Sequence, residues 1–164
     1  MEEDSMVTVG LADDHVVVRQ GLRLLLESDP EFVVVGEAAD GLEALRLVKR
    51  KKPQVMVLDL MMPGLDGLEI ARRVLRLKRG TRVIMLTMCG DEAYVLDALK
   101  YGVAGYVVKE SCGIDLFEAI HDVAAGRRYL SPAVADFAKK KWFPNQVSRV
   151  RKRAKPARRR LPVN

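Results

Sequence analysis

The chain has 164 residues, of which 49% are hydrophobic and 30% charged, a composition typical of a folded globular protein rather than a disordered or fibrous one. Its net charge of +6 is uneven, because all 22 acidic residues precede residue 137 whereas eleven of the 28 basic residues follow residue 138. The N-terminus lacks the features of a signal peptide and no apolar run approaches the roughly 20 residues of a membrane-spanning helix, so we expect a cytoplasmic protein without a membrane partner.

Five short apolar segments alternate with segments of helical periodicity along the first 125 residues. The first segment ends in Asp13-Asp14-His15, and a helix with the apolar positions Val18, Leu22, Leu25 and Leu26 follows it. The strands are predicted over residues 6–12, 32–38, 55–58, 81–87 and 104–108, and the last helix over residues 113–125. This alternation predicts an α/β fold, a doubly wound parallel sheet of five βα units with right-handed crossovers.

Two of the predicted helices begin with the same sequence pattern. Asp40-Gly41-Leu42-Glu43 and Asp66-Gly67-Leu68-Glu69 both have the spacing of a capping box, in which the Asp accepts from the backbone and the Glu reaches back. The first of these helices ends in Lys49-Arg50-Lys51-Lys52, which suits the negative end of a helix dipole. That run is also compatible with a nucleic-acid patch, although a solvated helix end is the preferred interpretation.

The third apolar segment differs from a half-buried strand, because Val55 to Leu58 are four consecutive apolar residues followed by Asp59 and then by Pro63-Gly64. An unbroken apolar run is typical of a central parallel strand that is covered on both faces. Asp59 then lies at the carboxyl end of the strand, where ligands bind in open α/β sheets. An aspartate that merely caps the following helix is the alternative.

Polar residues also end three other predicted strands, namely Asp13-Asp14, Thr87 and Lys109. If the first and third strands are neighbours, three carboxylates share one pocket, where each is pushed toward protonation unless a cation is present. Mg²⁺ would resolve the repulsion, and one carboxylate could act as a nucleophile toward phosphorus. A hydroxyl and an ammonium group would then stabilise the phosphoryl oxygens. Each residue also has a structural explanation, as a helix cap, a strand end or a solvated lysine.

The motifs that carry this chemistry are Ala12-Asp13-Asp14-His15, Leu58-Asp59-Leu60-Met61-Met62-Pro63-Gly64, Leu86-Thr87-Met88 and Gly105-Tyr106-Val107-Val108-Lys109. Together they resemble the receiver domain of bacterial two-component response regulators. The first motif and the segment Gly126 to Pro132 are similar to the NarL/FixJ-type transcription regulators. The resemblance implies a flavodoxin-like fold with the strand order 2-1-3-4-5.

The resemblance also implies a role for each site residue. Asp59 would accept a phosphoryl group from a sensor histidine kinase. Asp14, Asp59 and the backbone carbonyl of Met61 would hold Mg²⁺, and Asp13 would assist through water. Thr87 and Lys109 would bind the phosphoryl oxygens, and Tyr106 would be the switch residue. The protein would catalyse only its own phosphorylation and dephosphorylation, and Met61 and Cys89, which are poor bases beside the phosphoryl group, favour a long-lived phosphorylated form.

The C-terminal region departs from the family pattern. We predict a receiver domain over residues 1–128, a linker over 129–138 and a disordered basic tail over 139–164. Related regulators continue into a helix-turn-helix domain of roughly 60 residues, whereas 28 residues without its apolar stripe follow Asp136 here. The tail could bind nucleic acid without sequence preference, or it could be a truncation or frameshift product without a partner. A homodimer is also left open.

Two other functions compete with a phosphorylated receiver. A receiver fold that acts by partner contact without phosphate is one, but the complete set of three aspartates, a threonine and a lysine argues against it. An aspartyl-phosphate phosphohydrolase is the other, but that chemistry needs a second acid two residues after the nucleophile, where this chain has Met61.

Overall fold

The computed structural model of the chain describes residues 6–88 and 91–142. The strands are β1 (Val7–Ala12), β2 (Phe32–Ala38), β3 (Val55–Asp59), β4 (Arg82–Thr87), β5 (Gly105–Val108) and β6 (Tyr129–Leu130). The helices are α1 (Val16–Glu27), α2 (Gly41–Lys51), α3 (Gly67–Arg76), α4 (Glu92–Lys100), α5 (Cys112–Ala124) and α6 (Pro132–Trp142). A single 3-10 turn, Lys109–Ser111, joins β5 to α5. Most of the predicted basic tail, residues 143–164, and Cys89 lie outside the described residues.

All six strands are parallel and form one sheet in the order β2-β1-β3-β4-β5-β6. The predicted fold class and the order 2-1-3-4-5 are therefore confirmed, with one further strand beside β5. Every residue of β3 is buried, as expected for the central strand of a doubly wound sheet. Because β1 and β3 are neighbours, the residues that follow them along the chain meet at the carboxyl edge.

Helices cover both faces of the sheet. Buried residues of α2, α3, α4 and α6 form one apolar cluster with the strands, and buried residues of α1 and α5 form the other. None of the described helices has the length and apolar character needed to span a bilayer. The fold therefore rests on two apolar layers, with the polar residues of the site confined to an edge.

The two predicted capping boxes form differently. Asp40 Oδ1 accepts from the Glu43 N–H at 2.9 Å, and Glu43 Oε2 accepts from the Ala39 N–H at 2.8 Å, so Glu43 reaches back to the residue before the N-cap rather than to the Asp40 N–H of a strict capping box. Asp66 Oδ1 instead accepts from the Leu68 N–H at 2.9 Å. The Glu69 carboxylate contacts Arg73 Nε at 3.1 Å rather than the backbone. The shared pattern therefore marks both helix starts, but its glutamate reaches back to the backbone only at α2.

The main difference from the sequence prediction lies in residues 129–138, which pack against the sheet instead of forming a linker. The Ser131 N–H donates to the Tyr106 carbonyl at 2.9 Å, and Ser131 Oγ accepts from the Val108 N–H at 3.0 Å. Val134 and Ala138 of α6 are fully buried in the same apolar cluster as Tyr106. Backbone pairing with β5 and burial of these small apolar residues extend the folded domain past residue 128.

Replacement of Ser131 by alanine is expected to lower the free energy of unfolding by about 1 to 3 kcal/mol, because the buried Val108 N–H loses its acceptor. Urea unfolding followed by circular dichroism measures the change. Ser28→Ala is the control, because Ser28 Oγ donates to the Leu25 carbonyl at an exposed position, where water replaces it. Equal losses in the two variants would contradict the role assigned to Ser131.

Candidate functional site

Two aspartates lie side by side at the carboxyl edge of the sheet. Asp59 is the last residue of β3 and Asp13 directly follows β1. The parallel register pairs Ala12 with Leu58, so the two following aspartates are adjacent. Their side chains are 1% and 3% exposed, for Asp13 and Asp59 respectively. Two carboxylates that are buried side by side repel each other, so their ionised forms need a positive charge nearby.

Lys109 supplies that charge. It directly follows β5 and reaches across β4, so that its Nζ lies 3.2 Å from Asp59 Oδ2 and 3.3 Å from Asp13 Oδ2. Its side chain is 14% exposed. The second oxygen of each aspartate is held by backbone, because Asp59 Oδ1 accepts from the Met61 N–H at 3.0 Å and Asp13 Oδ1 from the His15 N–H at 2.9 Å. We call Asp13, Asp59 and Lys109 the ion triad.

The electrostatics of the ion triad follow from its burial. Burial is the main cause that raises the pKa of Asp59; the Met61 N–H opposes it, the Asp13 charge adds to it, and Lys109 also opposes it. Burial by itself would lower the pKa of Lys109, but the charges of Asp59 and Asp13 and the hydrogen bonds to them raise it. Lys109 therefore stays charged, while the ionised form of Asp59 is disfavoured in this arrangement.

Asp59→Asn is accordingly expected to stabilise the fold at pH 7 in buffer free of divalent cations. A carboxylate whose folded pKa is raised lowers stability at pH values above that pKa, and this loss disappears as the pH falls toward the ordinary value of 3.8. The stability difference between variant and wild type should therefore shrink on acidification through that window. Urea unfolding at a series of pH values measures it. A constant difference would contradict the assignment.

The remaining acidic residue, Asp14, faces a more open environment. Its side chain is 25% exposed, and it lines a surface pocket together with residues 60–64, Asp66 and Tyr94. Asp14 Oδ1 is buried and makes no hydrogen bond within the part of the chain that is described, although His15 Nδ1 lies 3.0 Å away. Asp13, Asp14, His15 and Asp59 offer ligand atoms within 4.8 Å of one another. These oxygens suit a hard divalent cation such as Mg²⁺.

Thr87 and Tyr106, the residues predicted on β4 and β5, lie at this edge and inside the sheet respectively. Thr87 ends β4, is 2% exposed and pairs in register with Val108, the residue before Lys109. Tyr106 pairs with Met85 and is fully buried in the apolar cluster that includes α4 and α6. The predicted site residues thus lie on neighbouring strands, with Tyr106 one layer inside the sheet and Met61 exposed at the pocket.

One residue of the site is not identified by the sequence. The apolar periodicity of the first helix places Arg19 on its polar face, but Arg19 Nη1 donates to the Asp13 backbone carbonyl at 2.6 Å and its Nε to Glu37 Oε1 at 3.1 Å. Its side chain is only 15% exposed. Helical periodicity cannot reveal this contact, because the acceptor is a backbone atom on another element. Arg19 therefore fixes the backbone that carries Asp13 and Asp14.

Arg19→Met is expected to weaken Mg²⁺ binding by roughly tenfold, because residues that orient metal ligands typically contribute this much. The shift of the thermal midpoint with Mg²⁺ concentration measures the affinity. Arg23→Met is the matched control, since Arg23 Nη1 also contacts Glu37, at 2.7 Å, and the other ion pair of Arg23 in the described chain is with Glu27. Equal Mg²⁺ affinities in the two variants would contradict the role of Arg19.

Comparison with known proteins agrees with this geometry. Residues 9–121 match the response regulator receiver domain family. The chain is 36% identical over 143 residues to the response regulator GacA of Pseudomonas viridiflava, covering 87% of this chain and 67% of that protein. It is 44% identical over 130 residues to the DNA-binding transcriptional activator DevR/DosR of Mycobacterium tuberculosis, covering 79% and 60%. The match thus spans about two thirds or less of these relatives.

A solved structure agrees as well. The crystal structure of a LuxR-family two-component response regulator from Aurantimonas sp. SI85-9A1 superposes with a TM-score of 0.77 at 40% identity, and the match covers 80% of this chain and 94% of that one. The family match extends over most of the described domain and includes the ion triad. The chain therefore belongs to the receiver-domain family of two-component response regulators.

Proposed function

We propose that Asp59 accepts a phosphoryl group from the phosphohistidine of a sensor histidine kinase, in a reaction that depends on Mg²⁺. The observation that carries this proposal is the ion triad, in which Lys109 contacts a buried carboxylate oxygen of Asp59 at the carboxyl edge of the sheet. The protein would catalyse only its own phosphorylation and dephosphorylation. It would not act on a separate substrate.

The contacts of Asp59 support different roles for its two carboxylate oxygens. Oδ1 is held by the Met61 N–H, which fixes the orientation of the carboxylate, whereas Oδ2 faces Lys109. Oδ2 would attack phosphorus, a new O–P bond would form, and the P–N bond of the phosphohistidine would break with the imidazole as leaving group. Lys109 would stay charged and move from the carboxylate to the phosphoryl oxygens, and the Thr87 hydroxyl would donate to another of them.

Asp14, Asp59 and the Met61 carbonyl would hold the Mg²⁺ ion, with Asp13 assisting through water. The buried Asp14 oxygen without a hydrogen bond and the open pocket beside it support this ligand set. When bound, Mg²⁺ supplies positive charge that offsets the carboxylates and the incoming phosphoryl oxygens. His15 Nδ1, at 3.0 Å from Asp14, would have to turn away from that oxygen.

Phosphorylation of Asp59 would change the packing of Tyr106. Movement of Thr87 toward the phosphoryl group would change the space beside the paired strand β5, where Tyr106 packs against the cluster that contains α4 and α6. The output would thus be a repacking of α4, β5 and α5, against which β6 and α6 pack in this structure. We also propose that the phosphorylated chain forms a homodimer, which analytical ultracentrifugation with and without phosphodonor tests.

Incubation with acetyl phosphate and Mg²⁺, followed by intact-mass spectrometry, tests the proposed phosphorylation. We expect a phosphate adduct to form with Mg²⁺ and not to form when EDTA is present from the start. A protein that stays unmodified at every Mg²⁺ concentration would contradict the proposal and would favour a receiver that acts by partner contact alone.

A second candidate function concerns the basic tail, residues 139–164, which carries eleven cations and no acidic residue. Its charge supports non-specific binding to phosphate backbones, and a relative is named a DNA-binding transcriptional activator. Binding to random duplex DNA that falls steeply with salt, and that weakens when Arg158, Arg159 and Arg160 are replaced by glutamine, is the expected result.

A further inference from the structure

The edge of the sheet opposite the ion triad has an uneven charge distribution. Residues 44–58 and 70–90 together contain eleven lysines and arginines and no aspartate or glutamate. The first segment includes the end of α2 and the second the end of α3. Both helices run opposite to the strands, so both end at the amino edge of the sheet.

The fold joins these two helix ends into one surface. Thr81 Oγ1 donates to the Pro53 carbonyl at 2.7 Å, and the Arg82 N–H donates to the Gln54 carbonyl at 3.0 Å, so the loops after α2 and α3 are in direct contact. The exposed cations around this contact are Lys49, Arg50, Lys51, Lys52, Arg76, Lys78 and Arg79. We call these seven residues the basic edge.

Ion pairing does not account for the basic edge, and the helix dipole accounts only for its members in the last turns of α2 and α3, namely Lys49, Arg50, Lys51 and Arg76. None of its seven residues has a carboxylate within ion-pair distance in the described part of the chain, whereas Arg23, Arg73 and Arg127 elsewhere each have one. The favourable effect of a cation on a helix dipole falls off within the last turn. Lys52 is the residue that caps α2, and Lys78 and Arg79 lie beyond the end of α3. Their charges therefore require another explanation.

Two lysines of the basic edge have a left-handed backbone conformation. Lys52 and Lys78 have φ angles of 46° and 49°, and they are the non-glycine residues with positive φ in the described chain. Glycine is the usual residue in this left-handed conformation, and another residue typically costs about 1 kcal/mol. A purely structural requirement would favour glycine at both turns. The lysines are understandable if their charge has a function.

We propose that the basic edge binds the phosphate backbone of duplex nucleic acid without sequence preference. Its seven exposed cations form one surface that complements closely spaced phosphates. Residues 44–58 and 70–82 contain none of the large exposed apolar residues of the described chain. The basic edge therefore offers no apolar side chain for insertion into a bilayer. The acidic site lies at the opposite edge of the sheet, so a duplex bound here would leave the pocket beside Asp14 uncovered.

The test measures binding of the full-length chain to a fluorescent random-sequence duplex by anisotropy over a range of KCl concentrations. Lys52→Gly with Lys78→Gly is expected to weaken binding roughly tenfold at low salt and to reduce the salt slope by about two, since each phosphate contact contributes about 0.9. The thermal midpoint of this variant should stay the same or rise, because glycine relieves both left-handed positions. Weaker binding without a loss of stability separates a charge function from a structural one.

Two further variants keep the result interpretable. Lys49→Gln with Arg76→Gln removes two charges of the basic edge without changing a left-handed residue and should weaken binding similarly. Lys100→Gln with Arg128→Gln removes the same net charge outside it and should bind as wild type does. The tail is present in every variant. Equal weakening in all three variants, or binding to phosphatidylserine vesicles but not to duplex DNA, would overturn the proposal.

Discussion

Asp59→Asn is expected to take up no phosphate from acetyl phosphate and Mg²⁺, because the amide lacks the nucleophilic oxygen that faces Lys109 in the wild type. Intact-mass spectrometry should show the adduct on wild type and only unmodified protein for the variant. Asn is close to Asp in size, so the backbone contact to Met61 and the packing of β3 should persist. The loss should therefore be a loss of chemistry at a folded site.

The matched control is Asp40→Asn, which changes an aspartate at a helix N-cap of the same fold outside the ion triad. This variant should be phosphorylated as completely as wild type. An equal adduct on Asp59→Asn would show that another residue accepts the phosphoryl group. Because Asp59→Asn is also expected to be more stable at pH 7, a folding defect would not explain its inactivity.

Lys109→Met is expected to separate Mg²⁺ binding from phosphoryl transfer. In the structure the ammonium group contacts both Asp59 and Asp13, so its removal frees two carboxylate oxygens for a divalent cation. Mg²⁺ should therefore bind at least as tightly as in wild type. The phosphorylation rate should nevertheless fall by about 10²- to 10³-fold, as is typical when one group that stabilises developing charge is removed.

The two quantities are measured on the same samples, the affinity from the Mg²⁺-dependent thermal midpoint and the rate from the time course of the adduct at saturating Mg²⁺. Lys109→Arg serves as the control, since it keeps a cation and should recover part of the rate. A Lys109→Met variant that loses Mg²⁺ binding would contradict the view that Lys109 competes with the metal. One that keeps the wild-type rate would exclude Lys109 from the reaction.

Local patterns in the sequence predict the features that depend on local order. The four apolar residues before Asp59 identify a central strand, and polar residues at the ends of four strands identify one edge of the sheet. The Asp40 N-cap and the backward contact of Glu43 with the backbone also form. These predictions succeed because burial, periodicity and capping are properties of short segments.

Features that depend on contacts between distant segments are not predictable in this way. The two-residue strand β6 is too short for a periodic pattern, and α6 is held by Val134 and Ala138, whose burial depends on Tyr106 and α4. Arg19 lies on a helix face that periodicity marks as solvated, yet it contacts the backbone carbonyl of Asp13, the residue directly after β1. The basic edge likewise exists only because two loops 28 positions apart touch.

The position of β6 has a practical consequence for the preparation of shorter fragments. A fragment that stops at residue 128 would leave β5 as the outermost strand, with the backbone groups that pair with Tyr129 and Ser131 open to other molecules. Unpaired strands that carry apolar side chains are prone to intermolecular pairing. Such a fragment should precipitate or form assemblies on concentration, whereas a fragment that keeps residues up to 142 should remain monodisperse in the same buffer.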